Sequence, residues 1–342
     1  MNKQQVHYIE VARLSRLGRR NTEILKHLQS EGANLSLSTI DRIVQKIRTP
    51  DPFEVEEIPS EERSLEEILD GRRTGFQRLA SRESALKKIN VKIKIDGPYG
   101  ITFFGDPHVD DPGSDIVALE RDLTLTRETE GLFAANVGDM NNNWVGRLSR
   151  LFSKQSVTEK EAWRLVEWML TSTDWLFLIG GNHDAWSGDS SPLKWIVQHA
   201  DVGAFEPHGI RMCLIQGKRE IIINSRHDFP GNSMWNTAHG PMRAAQMGWR
   251  DHVLTCGHKH SSGYGLVKDP ATGLISHCIR VAAYKIIDDY AKAGGFLDSH
   301  ISPSVTAVFQ PQYADSDPRL ITIFHNTEEA AEYLTWKRNV SC

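Results

Sequence analysis

Five short apolar runs between residues 99 and 262 each end in side chains that can bind metal ions or transfer protons. The runs are ITFF, FAANV, LFLI, EIIIN and VLTC, and glycine accompanies most of their endings. Carboxylate, amide and imidazole ligands without a cysteine suit manganese, iron or zinc, whereas thiolates would select softer ions. The set therefore predicts a metal centre rather than five unrelated polar loops. Its members are Asp106, His108, Asp139, Asn182, His183, Asp184, His227, His258 and His260.

The elements that carry these residues follow from an alternation of apolar runs and amphipathic segments after about residue 90, which is typical of an α/β domain. Two strands are expected around Gly97-Pro98, and a hairpin is expected to turn at Gly217. Because sites in open α/β sheets lie beyond the carboxyl ends of the strands, the five endings should meet. Helices are predicted over 115–128, from Ser156 to about Leu170, from Ser191, near 241–247 and over 327–338.

The order of these motifs along the chain, Asp-x-His, Gly-Asp, Gly-Asn-His-Asp, His and Gly-His-x-His, resembles the calcineurin-like metallophosphoesterase family over roughly residues 99–262. The resemblance implies an α/β fold of two facing sheets flanked by helices, a four-layer sandwich. It also implies hydrolysis of phosphoester bonds at two divalent metal ions, with manganese expected and iron or zinc as alternatives. Two cations roughly 3.5–4 Å apart can activate a water molecule and stabilise charge on the phosphate.

The resemblance also implies a role for each residue of the set. Asp139 would bridge the two ions, because a carboxylate can give one oxygen to each. His183 would be the family's non-ligand histidine and the general acid for the leaving alkoxide, held in orientation by Asp184. The remaining ligands would be Asp106, His108 and His260 for one ion and Asn182, His227 and His258 for the other.

The fourth motif departs from the family's pattern. That motif is often His-Gly, whereas His227 is followed by Asp228, and His239-Gly240 occurs twelve residues later. His227 is the expected ligand because it directly follows the run EIIIN. His239 is the alternative ligand, and otherwise a candidate contact to substrate phosphate.

The segment after Asp139 also departs from one branch of the superfamily. The protein Ser/Thr phosphatases have an Asp and an adjacent Arg-Gly there, whereas this chain reads MNNNW and places Asn142 where the carboxylate would be. This departure argues against a protein phosphatase. Asn142 and Trp144 are therefore candidate contacts to a different substrate. Tryptophans after the motifs, including Trp186 and Trp235, could stack on bases, although ordinary packing explains each equally well.

The first 50 residues form a basic head, with nine Lys or Arg against four Asp or Glu, while residues 51–70 hold nine acids against one Arg. This contrast predicts a module over 1–50, ended by Pro50 and Pro52, then an acidic linker and helix over 51–90, and the enzyme domain over 91–342. Three helical segments are predicted in the head, from Val6 to Leu17, from Asn21, and from Ser38 as N-cap with Asp41 three residues on.

The head resembles a helix-turn-helix DNA-binding unit, and its combination with such a domain resembles proteins of phages and prophages. The outer face of its third helix carries side chains suited to phosphates and base edges in a major groove, namely Arg42, Gln45, Lys46 and Arg48. A small three-helix bundle with a solvated basic face is the alternative.

The composition narrows the classes of protein that remain possible. No apolar run approaches the roughly 20 residues of a membrane helix, the N-terminus lacks the apolar core of a signal peptide, and four dispersed cysteines favour a reducing cytoplasm. The sequence thus predicts a cytoplasmic metal-dependent phosphodiesterase or nuclease acting on DNA. A phosphomonoesterase or nucleotide phosphodiesterase that uses the head for localisation is one alternative. A DNA-binding regulator with an inactive phosphoesterase-like domain is the other.

Overall fold

The computed structural model describes residues 3–48, 62–188, 191–287, 292, 295 and 299–340 of the 342-residue chain. Two compact units divide the chain, residues 1–74 and 75–342. The predicted end of the head at Pro50 and Pro52 and the acidic residues 51–61 lie outside the described residues.

The first unit contains a three-helix bundle formed by α1 (Lys3–Arg16), α2 (Asn21–Ser30) and α3 (Leu37–Arg48). Its core is built from one apolar side of each helix, with Val11, Ile24 and Ile40 fully buried. A further helix, α4 (Leu65–Leu86), has no buried residue.

Two predicted helix caps in the head are wrong. Asn21 is the first residue of α2 rather than its cap, and its side-chain Nδ2 donates to Asp41 Oδ1 at 2.7 Å. Since Asp41 is engaged in that contact between α2 and α3, it does not complete a capping box with Ser38. The hydroxyl of Ser36 accepts the hydrogen bond from the backbone N–H of Thr39 at 3.2 Å instead.

The second unit is built on two six-stranded sheets. Sheet I has the order β12-β11-β2-β3-β4-β5, and sheet II has the order β1-β6-β7-β8-β10-β9. The strands are β1 (Ile89–Lys92), β2 (Tyr99–Phe104), β3 (Leu132–Asn136), β4 (Trp175–Ile179), β5 (Phe205–Glu206), β6 (Gly209–Gln216), β7 (Arg219–Arg226), β8 (Val253–Cys256), β9 (Gly263–Lys268), β10 (Ile275–Arg280), β11 (Ser304–Phe309) and β12 (Ile321–Phe324). The helices are α5 (Ile116–Glu128), α6 (Glu159–Thr171), the single turn α7 (Asn182–Ala185), α8 (Pro192–His199), α9 (His239–Met247) and α10 (Thr327–Val340), with a 3-10 helix over Gly146–Lys154.

The two sheets face each other across one apolar core, to which Phe103 and Phe177 of sheet I and Ile223 and Ile279 of sheet II contribute. Helices α5, α6 and α8 cover the outer face of sheet I, and α9 packs on the outer face of sheet II through Ala245. The predicted fold class, a four-layer α/β sandwich with a small all-α unit at the N-terminus, is confirmed.

The strands that precede the predicted site residues are neighbours. Strands β2, β3 and β4 run parallel and adjacent in sheet I, and β7 and β8 run parallel and adjacent in sheet II. Because the carboxyl ends of parallel strands meet at one edge of a sheet, each sheet presents its polar endings together.

Other local predictions have mixed outcomes. The hairpin at Gly217 is confirmed, since β6 and β7 pair antiparallel up to Gln216 and Arg219. The strands on either side of Gly97-Pro98 lie in different sheets, so the turn there passes from sheet II to sheet I. Helix α6 begins at Glu159 rather than Ser156, because the Thr158 side chain caps it by accepting from Glu161 N–H.

Two further observations concern membrane-spanning helices and cysteines. Among the helices that the structure describes, none combines the length and apolar character that a membrane crossing requires. Cys213, Cys256 and Cys278 are buried and carry free thiols, and Cys342 lies outside the described residues.

A buried carboxylate ties α5 to the strand ends. Asp122 of α5 is fully buried, and its Oδ2 accepts hydrogen bonds from the hydroxyls of Tyr284 and Ser304, each at 2.8 Å. The backbone N–H of Tyr284 donates in turn to the carbonyl oxygen of Asp106 at 3.1 Å. The tyrosine therefore links the helix layer to a predicted metal ligand.

We expect Tyr284→Phe to lower the free energy of unfolding of the second unit by about 1.5–3 kcal/mol, because a buried carboxylate loses a hydrogen bond. Urea unfolding followed by near-ultraviolet circular dichroism measures the change. Tyr333→Phe is the matched control, since that hydroxyl makes one long contact of 3.4 Å with Gln310 Nε2. Equal losses in the two variants would contradict the role assigned to Asp122.

Candidate metal centre

The endings of β2, β3, β4, β7 and β8 bring the predicted side chains of both sheets into one cluster. Three overlapping groups have ligand-capable atoms within 4.8 Å of one another. Asp139 and His108 each belong to two of the groups, so the three form one continuous set. The groups are Asp106–His108–His260, His108–Asp139–His183 and Asp139–His227–His258.

The group around Asp106 contains buried polar atoms that have no protein partner. His260 Nε2 lies 3.4 Å from Asp106 Oδ2 and 3.2 Å from His108 Nε2. The same Asp106 Oδ2 accepts from the backbone N–H of His258 at 2.8 Å, but Oδ1 is buried without a hydrogen bond. A buried, unpartnered carboxylate oxygen is costly, and a cation is the ligand that removes this cost. The residues therefore fit a metal ion.

In the group Asp139–His227–His258, one imidazole nitrogen has three close neighbours. His227 Nε2 lies 3.0 Å from Asn182 Oδ1, 3.0 Å from His258 Nδ1 and 3.2 Å from Asp139 Oδ2. One nitrogen carries at most one proton, which cannot serve three electron-rich neighbours. His227 Nδ1 donates to the carbonyl oxygen of Val137 at 2.9 Å, which directs Nε2 to the centre, as in many metal-ligating histidines.

Charge is balanced inside the cluster by the histidines themselves. Burial alone would raise the pKa of Asp139, but the hydrogen bond and charge of His227 hold it below its usual range. Burial alone would lower the pKa of His227, but the hydrogen bond with Asp139 and the charges of Asp106 and Asp139 together outweigh it and raise that pKa to about 10. Burial and the neighbouring His260 lower the pKa of His108, and burial and His227 lower that of His258. Neutral imidazoles of this kind are the form that binds metal.

The structure places His227, rather than His239, among the clustered side chains. His239 is the first residue of α9 and lies beside Gly231, where an added Cβ would be 3.1 Å from the His239 ring. His227 therefore belongs to a candidate ligand group, and its role as a ligand stays a prediction.

The predicted role of Asp184 in orienting His183 is wrong. The His183 ring donates from Nδ1 to the carbonyl oxygen of Asn142 at 2.7 Å. Asp184 instead accepts from the backbone N–H groups of Gly181 at 2.8 Å and Met140 at 3.2 Å. The reason is local, because Asp184 lies in the first turn of α7 and its carboxylate closes that turn. It thereby joins the loops after β3 and β4, and burial, with the charge of Asp139, raises its pKa to about 7.

Asn142 supports His183 from a buried position. Its backbone N–H donates to Asp110 Oδ1 at 2.7 Å, and its side-chain Nδ2 donates to Asp111 Oδ2 at 2.9 Å. Lys285 Nζ lies 3.1 Å from the same Asp111 Oδ2. Sequence reasoning missed Asp110 and Asp111, although both follow His108 in the stretch PHVDDP.

Two tryptophans enclose the His183 ring. The ring centroid of Trp186 lies 4.1 Å from that of His183, and the centroid of Trp144 lies 5.3 Å from it. The two indoles are 6.0 Å apart. Trp144 is therefore engaged in packing against the histidine, which restricts the face it can offer to a substrate.

The backbone of the centre is strained in a way that the sequence does not reveal. Within the described part of the chain, five residues other than glycine have positive φ, and all belong to the strand-end loops of the centre. Such residues concentrate at functional sites, where the surrounding structure holds them. They are His108, Asp139, Asn143, His258 and His260, with φ between 40° and 69°.

The predicted DNA contacts of the head share one exposed helix face. Arg42, Gln45, Lys46 and Arg48 are exposed on α3, while Ile40 and Val44 of the same helix are buried. Their role in DNA binding stays a prediction.

Comparisons with known proteins give only distant structural similarity. No family model and no curated protein matches the chain. The calcineurin-like phosphoesterase YfkN from Bacillus subtilis is 11% identical, covers 71% of this chain and 99% of its own, and has a TM-score of 0.36. Vacuolar Protein Sorting 29 from Cryptosporidium parvum is 12% identical, covers 68% of this chain and 100% of its own, and has a TM-score of 0.34. A predicted phosphoesterase from Streptococcus pneumoniae is 11% identical, covers 68% of this chain and 100% of its own, and has a TM-score of 0.30. At these values none of them assigns an activity to this chain.

We expect Gly257→Ala to abolish metal binding at the Asp106 group, because the added Cβ would lie 2.2 Å from Asp106 Oδ1 and displace that carboxylate. Elemental analysis of manganese per chain after dialysis measures the loss. Gly75→Ala is the matched control, since its Cβ meets nothing within 4 Å. A Gly257→Ala protein that holds as much manganese as the wild type would show that Asp106 is not needed in this position.

Proposed function

We propose that the protein is a dinuclear metal-dependent phosphoesterase that hydrolyses phosphodiester bonds, with DNA as its substrate. The observation that carries this proposal is the continuous set of three ligand groups joined through His108 and Asp139, drawn from the ends of five strands in two sheets. The buried, unpartnered Asp106 Oδ1 supports the presence of a cation in this set.

The proposed ligand sets follow the geometry. Asp106, His108 and His260 would hold one ion, and His227, His258 and Asn182 the other. Asp139 lies between the two sets and would touch both ions. Two divalent ions bound there, with manganese expected from the donor set, would supply a hydroxide nucleophile at neutral pH and positive charge for the phosphate oxygens.

His183 is the proposed general acid. Its Nδ1 is committed to the carbonyl oxygen of Asn142, so Nε2 is the nitrogen that gains and loses a proton. That Nε2 faces the centre, 3.9 Å from Asp139 Oδ2. A protonated Nε2 can give its proton to the leaving oxygen, while Trp144 and Trp186 limit rotation of the ring.

The proposal of DNA as substrate rests on the head and not on the centre. The exposed cations of α3 suit a phosphate backbone, and phosphate contacts supply most of the sequence-independent affinity for DNA. A panel of single-stranded DNA, double-stranded DNA and mononucleotide phosphomonoesters, assayed with manganese, separates this proposal from a phosphomonoesterase.

We expect Asp139→Ala to lose both metals and to lower the hydrolysis of bis-p-nitrophenyl phosphate by more than about 100-fold. The reason is that even partners of metal ligands contribute about 10–100-fold, and Asp139 is proposed to contact both ions directly. Metal content by elemental analysis and steady-state kinetics are the measurements. Asp317→Asn, which alters a carboxylate paired with Arg319, is the control. Retention of both metals by Asp139→Ala would refute the bridging role.

We expect the double variant Arg42→Ala/Arg48→Ala to weaken binding of double-stranded DNA and to flatten its salt dependence. Each lost phosphate contact reduces the slope of log K against log salt by about 0.9. Fluorescence anisotropy at several salt concentrations measures both quantities. The matched control is Arg72→Ala/Arg78→Ala, which removes two exposed arginines of α4. The same slope in the wild type and in Arg42→Ala/Arg48→Ala would remove the DNA role from this helix face.

A further inference from the structure

The loop between β7 and α9 carries two large apolar side chains that the protein does not cover. We call residues 229–237 the arm. Met234 and Trp235 at its tip are 96% and 94% exposed, the highest values among the large apolar residues that the structure describes. Every other large apolar side chain that the structure describes is at most 76% exposed, so the tip of the arm offers the least covered apolar surface for a ligand.

A buried arginine fixes both ends of the arm to the metal centre. Arg280 of β10 is fully buried, and its guanidinium donates to Asp228 Oδ1 at 2.9 Å, just before the arm begins. It also donates to the carbonyl oxygen of Thr237 at 2.8 Å, where the arm ends, and to that of Gly257 at 2.6 Å. Since Asp228 follows His227 and Gly257 precedes His258, the arm is held to two proposed ligands.

The tip of the arm is ordered by contacts of its own. The Asn232 side chain accepts from Lys259 Nζ, and Lys259 stands between His258 and His260 in the chain. The backbone N–H of Trp235 donates to Ser233 Oγ at 3.2 Å, and Thr237 Oγ1 donates to the carbonyl oxygen of Ser262 at 2.6 Å. The indole is therefore presented from a structured loop that touches the segment bearing the last two ligands.

The size and charge of this surface favour a small planar partner. A tryptophan side chain offers about 150–250 Å² of contact area. A stable protein interface needs about 800 Å² on each side, which is far more than two side chains supply. Lys259, which follows His258 in the chain and donates to Asn232 of the arm, adds a positive charge that suits a phosphate group. A nucleobase, which a sugar joins to its phosphodiester, combines a planar ring with such a charge.

We propose that Trp235 stacks on a base of the substrate whose phosphodiester lies at the metal centre, so that the arm selects nucleoside esters. This inference rests on the proposed phosphoesterase function and names its substrate class. Stacking of a base on an aromatic side chain is independent of base identity, because every base has a π-face.

Two substrates with the same leaving group test the proposal in the full-length, manganese-loaded protein. One is thymidine 5′-(p-nitrophenyl phosphate), and the other is ethyl p-nitrophenyl phosphate, which has no base. We expect Trp235→Ala to lower the ratio of kcat/KM for the nucleoside ester to kcat/KM for the ethyl ester by at least about fivefold. Trp235→Phe should restore most of the ratio, since phenylalanine keeps an aromatic face. Trp336→Ala, which removes an exposed tryptophan of α10, is the matched control and should keep the wild-type ratio.

An unchanged ratio in Trp235→Ala overturns the stacking role while leaving the proposed function intact. A wild-type protein that hydrolyses neither ester overturns the proposed function. In that case, anisotropy of a labelled oligothymidylate decides on Trp235 without catalysis. Weaker binding by at least about fivefold in Trp235→Ala supports the stacking role, and equal binding rejects it. Binding of the oligothymidylate also shows whether the stacked base can belong to a DNA strand or only to a nucleotide ester.

Discussion

Buried negative charge is the constraint on which the rest of this site depends. Asp106 and Asp139 are 0% and 2% exposed, and a carboxylate removed from water is stable only when positive charge or donors surround it. Backbone N–H groups supply part of this compensation, since that of His258 donates to Asp106 and that of His183 donates to Asp139. Imidazoles supply the rest in the protein alone, and divalent cations are the natural replacement. Gly257 packs closely against Asp106, and several residues of the ligand loops have a left-handed backbone. Both features bring these groups within contact distance.

The same constraint explains why two sheets are required. Sheet I contributes the carboxylates with His108 and Asn182, whereas sheet II contributes His227 and the His258–His260 pair. Two of the three groups of candidate ligands combine residues from both sheets, and the crowded Nε2 of His227 also has neighbours from both. The relative position of the two ligand sets is therefore determined by the apolar core between the sheets, in which large side chains such as Phe103 and Ile279 are fully buried.

Much of this arrangement could be predicted from the sequence, because it depends on the spacing of apolar residues and on the order of the polar residues that follow them. Apolar runs that end in Asp, Asn or His identified the strands and the clustered residues, and the position of His227 after EIIIN distinguished it from His239. Contacts that depend on one turn of backbone could not be predicted. Asp184 was expected at the His183 ring, but its place in the first turn of α7 directs the carboxylate to two backbone N–H groups. The start of α6 was misplaced for a similar reason, since Ser156 and Thr158 both suit a cap and only the chain path selects between them. The left-handed conformation of His108 and Asp139 is not determined by residue type, because His and Asp adopt it more often than most residues but still only in a minority of cases.

Arg280 gives a physical reason for the aspartate that follows His227 in this chain. A guanidinium with no exposed surface needs a counter-charge, and Asp228 provides it with a hydrogen bond of 2.9 Å. Replacing Asp228 by glycine in this chain would leave a buried cation with only carbonyl acceptors. The aspartate and the arginine are thus one structural unit, and the same guanidinium holds Thr237 and Gly257. Asp228, next to His227, therefore belongs to a buried ion pair. This pair positions the ligand loops and also anchors the arm that carries Trp235.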